Sequence, residues 1–254
     1  MDWEIQLPSK FNSLETTFRK GRNPFDGFVR GYGIDKANVE QLCDADQDFI
    51  EAVNISWKRT YLHKSNIMNL YMLLRFYLPK ISFGHIVEFG SYKGGSAIFL
   101  ASIANKFLPG VEVIGFDTFN GMPETDLTID AHFEGEHKDT DINELNRYIH
   151  QCNLSNLRFI EGRFEETADK ALRDIGPVAL VHIDCDIHSS ITYCYESIKK
   201  YFVNGAYIVF DDCLYSHCLG AFEAVEETLI KQDGLNAEQN SPQLVFRYPS
   251  DFKG

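Results

Sequence analysis

The stretch His85-Ile86-Val87-Glu88-Phe89-Gly90-Ser91-Tyr92-Lys93-Gly94-Gly95-Ser96 constrains the fold more than any other part of the chain. Four of its first five residues can fill a buried parallel strand. The glycines then allow a sharp backbone turn, and Ser96 to Lys106 carries helical spacing. The predicted unit is strand, glycine loop, helix. Such a loop lets a ligand lie against bare backbone at a helix N-terminus, where unpaired N–H groups and the helix dipole favour anionic groups.

The glycine spacing separates two nucleotide-type ligands. A dinucleotide loop uses G-x-G-x-x-G to hold a pyrophosphate, whereas here Gly90 is followed by three non-glycine residues before Gly94-Gly95, and the acid Glu88 stands near the strand end. A carboxylate there disfavours a diphosphate. E-x-G-x-x-x-G-G suits S-adenosylmethionine (SAM), whose amino and sulfonium groups tolerate a nearby acid. A purely structural strand-to-helix turn is the alternative.

From His85 onward, strand-like and helix-like segments alternate. Strands are expected at 85–90, 111–117, 157–161, 178–184 and 206–211, with helices at about 95–107, 141–152, 165–174 and 189–202. A helix at about 219–231 and a strand at 243–248 follow, and a weak strand near Leu235 would make the last pair a hairpin. This alternation predicts an α/β fold with a mostly parallel, doubly wound sheet. Ahead of it, residues 1 to about 34 read as an irregular arm with aromatic anchors. Ala37 to Trp57 and Asn66 to Leu78 read as two helices, the second stopped by Pro79. The expected division is 1–80 as an N-terminal arm and helical extension, serving as a lid, an oligomerisation element or an acceptor-side cover, and 81–254 as the catalytic domain.

A chain of 254 residues with 44% hydrophobic content can bury a substantial core. Its formal charge of -13 disfavours a nucleic-acid or anionic-membrane partner and is compatible with a divalent cation. The six cysteines form no C-x-x-C pair, and neither an N-terminal apolar segment nor a membrane-length apolar run is seen, so a reducing cytoplasm is expected.

Several strand ends carry chemistry. Asp117 closes Val111-Glu112-Val113-Ile114-Gly115-Phe116-Asp117, where a carboxylate can accept hydrogen bonds from ribose hydroxyls or cap the next turn. Gly162 and Phe164 follow the third strand and suit an adenine ring, although Phe164 also suits the core. Asp184 and Asp186 end the fourth strand, while Asp211 and Asp212 end the fifth. Adjacent parallel strands bring those acids together at the edge where ligands bind. Converging carboxylates repel unless they are protonated or bridged, and a hard divalent ion, Mg²⁺ first, answers that. While the chain stays extended, Asp184 and Asp186 face the same side. The long segment from Phe119 to Asp141 reads as a lid over residues 122–140; its His132 and His137 read as solvated loop residues, with metal ligation or base chemistry as the other option.

Taken together, Glu88 to Ser96, Phe116-Asp117-Thr118-Phe119-Asn120-Gly121-Met122-Pro123, Gly162-Arg163-Phe164, Asp184-Cys185-Asp186 and Asp211-Asp212 resemble the macrocin O-methyltransferase family. These are SAM- and Mg²⁺-dependent sugar O-methyltransferases of antibiotic biosynthesis, and the resemblance runs from about Thr60 to Glu227. It implies a Rossmann-like class I SAM-methyltransferase fold. It also implies SAM contacts at Thr60, Tyr61, Glu88, Phe89, Gly90, Ser91, Tyr92, Asp117, Thr118, Phe119, Gly121, Gly162 and Arg163. Metal ligands would be Asp184, Asp211 and Asp212. Independently of the resemblance, Asp184 is the expected proton acceptor, with Asp186 as the alternative. The family usually has tyrosine where this chain has His188 and an aromatic where Cys213 stands.

The function expected is methyl transfer from SAM to a hydroxyl of a small molecule, a sugar or glycosylated natural product, with Mg²⁺ or another divalent cation and with self-association left open. Tyr195-x-x-x-Lys199 also spells a short-chain dehydrogenase pair using NAD(P), although the glycine pattern and strand-end acids do not serve hydride transfer. A non-catalytic SAM- or metal-binding protein is the third reading.

Overall fold

A computed structural model describes residues 36–249; the expected arm over residues 1–34 therefore lies outside the described residues. The order is α1 (Lys36–Ala45), α2 (Gln47–Ser56), α3 (Lys64–Met72), β1 (His85–Phe89), α4 (Gly95–Phe107), β2 (Val113–Asp117), α5 (Ile142–Gln151), β3 (Leu157–Glu161), α6 (Phe164–Ile175), β4 (Val178–Ile183), α7 (His188–Ile198), β5 (Phe202–Phe210), α8 (Leu219–Val225), β6 (Ala237–Gln239) and β7 (Leu244–Arg247). The strands form one seven-stranded sheet in the order β3-β2-β1-β4-β5-β7-β6. The first five run parallel, and β7 and β6 close the edge as the expected antiparallel hairpin.

Strand periodicity divides the core in two. Ile86, Val113, Leu180, Tyr207 and Val209 pack with α2 to α5 in one apolar cluster. Val87, Phe89, Ile114, Phe116, Val181, Ile183, Ile208 and Phe210 pack with α6 to α8 in the other. In the first layer, Phe49 sits edge-on to both Tyr71 and Phe99, at centroid separations of 5.3 and 5.9 Å. Residues 49–78 thus share a core with the sheet.

The region before β1 differs from the two expected helices. Asp46 interrupts the first by turning extended and capping α2, its Oδ1 accepting from the Asp48 N–H at 2.8 Å, while Oδ2 accepts from the Tyr71 hydroxyl at 2.6 Å. The α-helical part of the second ends at Met72, before Pro79. A wider turn over Leu73–Tyr77 follows, and Pro79 sits inside a final 3-10 turn, Leu78–Lys80.

Two glycines explain how the pieces approach so closely. At Gly90, with φ of +87°, an added Cβ would lie 1.7 Å from the Asp184 carbonyl oxygen, so the β1 loop can lie against the end of β4 only without a side chain. At Gly95 a Cβ would meet the Arg59 carbonyl at 2.5 Å, which lets the segment before α3 cross the N-terminus of α4. Arg59 is anchored there by a bidentate pair with Glu144 at 2.6 and 3.1 Å, and it stacks 3.9 Å over the Tyr148 ring. No helix among the described residues is long and apolar enough to cross a membrane.

Candidate active site

A cavity of about 380 Å³ opens at the C-terminal ends of the parallel strands, the edge at which open α/β sheets bind ligands. One wall is the glycine loop with Gly90, Ser91 and Tyr92, another is the β2 end with Asp117, Thr118 and Gly121, and a third is Arg163 with Phe164. Thr60, Tyr61, Leu62 and His63 cover it from the helical extension, and Asp184, Asp186, Asp211 and Asp212 form its floor.

Ten of the fourteen expected cofactor residues line this cavity, and four do not. Phe89 is fully buried and stacks on Phe116 at 5.0 Å, because its place in the β1 alternation turns it toward α6. Phe119 packs edge-on against Phe159 in the opposite layer. Gly162 supplies a backbone turn beside the wall, its N–H donating to the Asp117 carbonyl at 2.9 Å. Glu88 is also fully buried, and it binds protein groups: it accepts from Ser91 Oγ at 2.8 Å and pairs with His182 Nδ1 at 3.0 Å. Phe164 takes both options open to it, lining the cavity and packing edge-on to Phe89.

Asp117 accepts two backbone hydrogen bonds at 2.7 Å, from Tyr92 N–H and Phe119 N–H. It therefore caps the next turn and also faces the cavity. Burial pushes its carboxyl above the ordinary range against those two donors. Three non-glycine residues lining the cavity hold strained backbone, with positive φ at Tyr92 (46°), His137 (60°) and Asp186 (61°).

The acids behave as the strand pairing dictates. Ile183 lies beside Phe210 in register, so the residues that follow each strand meet. Asp184, Asp211 and Asp212 place a carboxylate oxygen each within 4.8 Å of the others. Burial, then the charges of Asp212, Asp211 and Asp186, push Asp184 well above the usual carboxylate range, and Asp212 is raised well above it by burial and by Asp186 and Asp211. Asp211 is offset by two amides: Asn66 Nδ2 donates to its Oδ1 at 2.7 Å and Gln243 Nε2 at 2.8 Å. An oxygen-rich group with this uncompensated charge fits a hard divalent cation. At Asp186 the chain is no longer extended, so the two-residue alternation does not apply: its backbone is left-handed, its N–H donates to Asp212 Oδ2 at 3.0 Å, and its carboxylate lies against His132 and Cys218 while sharing the cavity floor with Asp184.

Several contributors, His182, Gln243, Asn66 and Asn69, have no counterpart among the expected site residues. Period two puts Glu88, His182, Asp211 and Gln243 on the sheet face that carries α3, and they join into one buried chain: Ser91 to Glu88, Glu88 to His182, His182 to Gln243 (3.4 Å), Gln243 to Asp211, Asp211 to Asn66. Asn69 extends it to Gln243 and Gln239. A polar residue at the centre of the apolar run Val181-His182-Ile183 was the available signal. His132 is not the solvated loop residue expected: its side chain is 14% exposed and faces the cavity, bonded through Nδ1 to Glu136 at 2.8 Å. His137 lines the mouth with Tyr61 and Tyr92, whose rings stack at 5.4 Å. The loop over 122–140 is closed on itself by Met122 and Glu136 and tied to α7 by buried Asp130, which accepts from the His188 N–H at 2.9 Å.

Tyr195 and Lys199 are absent from the cavity lining. Both bind Asp233, at 2.5 and 3.1 Å, so they make no dehydrogenase pair.

The fold is that of class I SAM methyltransferases. The calicheamicin methyltransferase CalS11 superposes with a TM-score of 0.66 at 18% identity, covering 84% of this chain and 90% of that one. The O-methyltransferase NovP gives 0.65 at 21% identity, covering 75% and 82%. A Streptomyces olivaceus protein, the 8-demethyl-8-(2,3-dimethoxy-alpha-L-rhamnosyl)-tetracenomycin-C 4'-O-methyltransferase, is 24% identical over 148 residues. That alignment covers 54% of this chain and 56% of the relative, so the match spans about half the relative's length. The family model for macrocin O-methyltransferase (TylF) matches residues 65–237, well over half of the sequence, and by that match the chain belongs to the macrocin O-methyltransferase family.

Proposed function

We propose that the protein transfers a methyl group from SAM to a hydroxyl of a sugar or glycosylated natural product, with Mg²⁺ or another divalent cation in the Asp184, Asp211 and Asp212 group. The observation that carries this reading is the opening of the glycine loop, Asp117 and the acid group into one cavity. The two relatives whose printed names specify a sugar support the acceptor class: a tetracenomycin rhamnosyl 4'-O-methyltransferase and a TDP-rhamnose 3'-O-methyltransferase.

In this reading Asp117 accepts from the ribose hydroxyls, and Gly90, Ser91 and Tyr92 offer backbone to the amino-acid end. Thr118 and Gly121 flank the ribose, Arg163 and Phe164 border the adenine, and Thr60 and Tyr61 cover the cofactor. Glu88, Phe89, Phe119 and Gly162 support these residues from behind. When bound, SAM supplies an electrophilic methyl group and the divalent ion supplies charge that acidifies a nearby hydroxyl. Asp184, which stands in the acid group, accepts the acceptor's proton, the ion that acidifies the hydroxyl making a strong base unnecessary; Asp186 is the second candidate for that proton. The loop over 122–140 and the segment over 36–80 enclose the reactants and exclude water. The acidic surface disfavours nucleic acid and anionic membrane as partners.

The test is incubation with SAM, Mg²⁺ and a panel of glycosides, reading S-adenosylhomocysteine and a product heavier by one CH₂. Full turnover in excess chelator would remove the metal, and binding of NADH in place of SAM would remove the whole reading.

A further inference from the structure

Beside the acid group, at the edge of the same cavity, lies a cluster of different chemistry. His132, His217 and Cys218 each place a ligand atom within 4.8 Å of the others, and Asp186, Asp212 and Cys218 form an overlapping group. Three separations define a triangle: His132 Nε2 to Cys218 Sγ is 3.5 Å, His132 Nε2 to Asp186 Oδ1 is 3.6 Å, and Cys218 Sγ to Asp186 Oδ1 is 3.7 Å. A tetrahedral ion with bonds of about 2.0 to 2.3 Å has ligand-to-ligand edges of about 3.3 to 3.8 Å. All three separations fall in that interval. The triangle is thus already the face of a coordination tetrahedron.

The support behind His132 points the same way. Its Nδ1 lies 2.8 Å from Glu136 Oε2. That carboxylate accepts the Nδ1 proton, which leaves the Nε2 lone pair directed at Cys218 and Asp186. A carboxylate holding the outer nitrogen of a histidine is the usual backing of a zinc-ligating imidazole. Opposite, His217 is fixed by stacking on Tyr215 at 5.7 Å and lies 5.7 Å from the His132 ring. Cys218 is almost fully buried, which keeps its sulfur from bulky electrophiles and leaves it facing His132 and Asp186.

We propose that His132, Asp186, Cys218 and His217 form a second metal site, selective for a borderline divalent ion of the Zn²⁺ class. Nitrogen and sulfur donors with one carboxylate favour Zn²⁺ or Co²⁺ over Mg²⁺, whereas the neighbouring all-carboxylate group favours the hard ion. The Asp186 N–H bond to Asp212 makes the two sites share a wall. The proposal stands on ligand geometry and does not require that the chain transfer methyl groups.

The experiment titrates the chelator-treated full-length protein with Co²⁺, a spectroscopic stand-in for Zn²⁺. The expected result is thiolate-to-cobalt charge-transfer absorption at one equivalent, abolished by added Zn²⁺ and unaffected by excess Mg²⁺. Cys218→Ser removes the absorption, and both Cys218→Ser and His217→Ala weaken Zn²⁺ binding at least tenfold; the His217 side chain is exposed, so that variant is expected to fold. Glu136→Gln weakens binding tenfold to a hundredfold. Asp184→Asn leaves the absorption intact, which separates this site from the acid group. Cobalt bound without thiolate absorption, absorption persisting in Cys218→Ser, or Zn²⁺ affinity unchanged in His217→Ala would overturn the proposal.

Discussion

Replacing Asp184 by Asn is expected to stabilise the metal-free protein at neutral pH. The three carboxylates of the acid group lie within 4.8 Å of one another, and one ionised pair at that distance repels by roughly 3 kcal/mol at an effective dielectric of about 20. The wild type can escape by protonating one carboxyl, which at pH 7.5 costs an ordinary Asp about 5 kcal/mol. Partial protonation shares the penalty, so the Asn variant is expected to gain about 1–3 kcal/mol at pH 7.5. The sign reverses the familiar salt-bridge case. Because the folded Asp184 carboxyl titrates above its unfolded range, its favourable contribution is complete only at acid pH, and it is lost as pH rises through the folded value. The gain from Asn therefore shrinks to about 1.5 kcal/mol or less near pH 5. Urea denaturation of both proteins in chelator across pH 5–8 measures this. Divalent ion should raise wild-type stability most at high pH and the variant much less. An Asn variant less stable than wild type at pH 7.5 in chelator, or a difference independent of pH, would refute the electrostatic account.

Asp117→Ala should weaken SAM binding by about 1.5–3 kcal/mol through loss of charge-assisted hydrogen bonds, measured by calorimetry. Gly90→Ala should abolish SAM binding or folding, because its methyl would occupy the Asp184 carbonyl; circular dichroism with ligand titration tells which. Phe99→Ala, at the packed junction of α2, α3 and α4, should cost about 3–5 kcal/mol in chemical denaturation. Asp130→Ala, which frees the 122–140 loop from α7, should speed protease cleavage within that loop, and cleavage should slow again with S-adenosylhomocysteine plus acceptor.

Much of the architecture was legible because the strands are short apolar runs ending in glycines or acids. Val113–Asp117, Leu157–Glu161 and Val178–Ile183 fall within or close to their expected bounds. Pairing of β4 with β5 was enough to bring four acids together, since register follows from parallel neighbours. What periodicity could not supply was the direction of side chains once a strand ends. Asp186 reaches His132 and Cys218 from a left-handed backbone that no two-residue alternation contains. His217 and Cys218 meet His132 across long sequence separation, and nothing local marks that encounter. Glu88 and Phe89 were read as ligand contacts from a motif, while the pleat assigns one to a buried polar chain and the other to the core. Asp46 broke a predicted helix because a residue that favours helix caps outweighed apolar spacing that ran straight through it.

The buried chain from Ser91 to Asn66 bears on how this enzyme family can be recombined. On one face of the sheet, Asn69 of α3 bonds Gln243 and Gln239 at the terminal hairpin, and Asn66 meets Gln243 at the Asp211 carboxylate. A chimera that imports a relative's leading helices alone would leave the hairpin's amides facing foreign partners in a place water cannot reach, at roughly 1–3 kcal/mol for each orphaned group. Because the same amides steady Asp211, the mismatch would be felt at the acids as well as in stability. Helix α3 and the β6–β7 hairpin therefore behave as one inheritance unit, and a functional graft has to exchange them together.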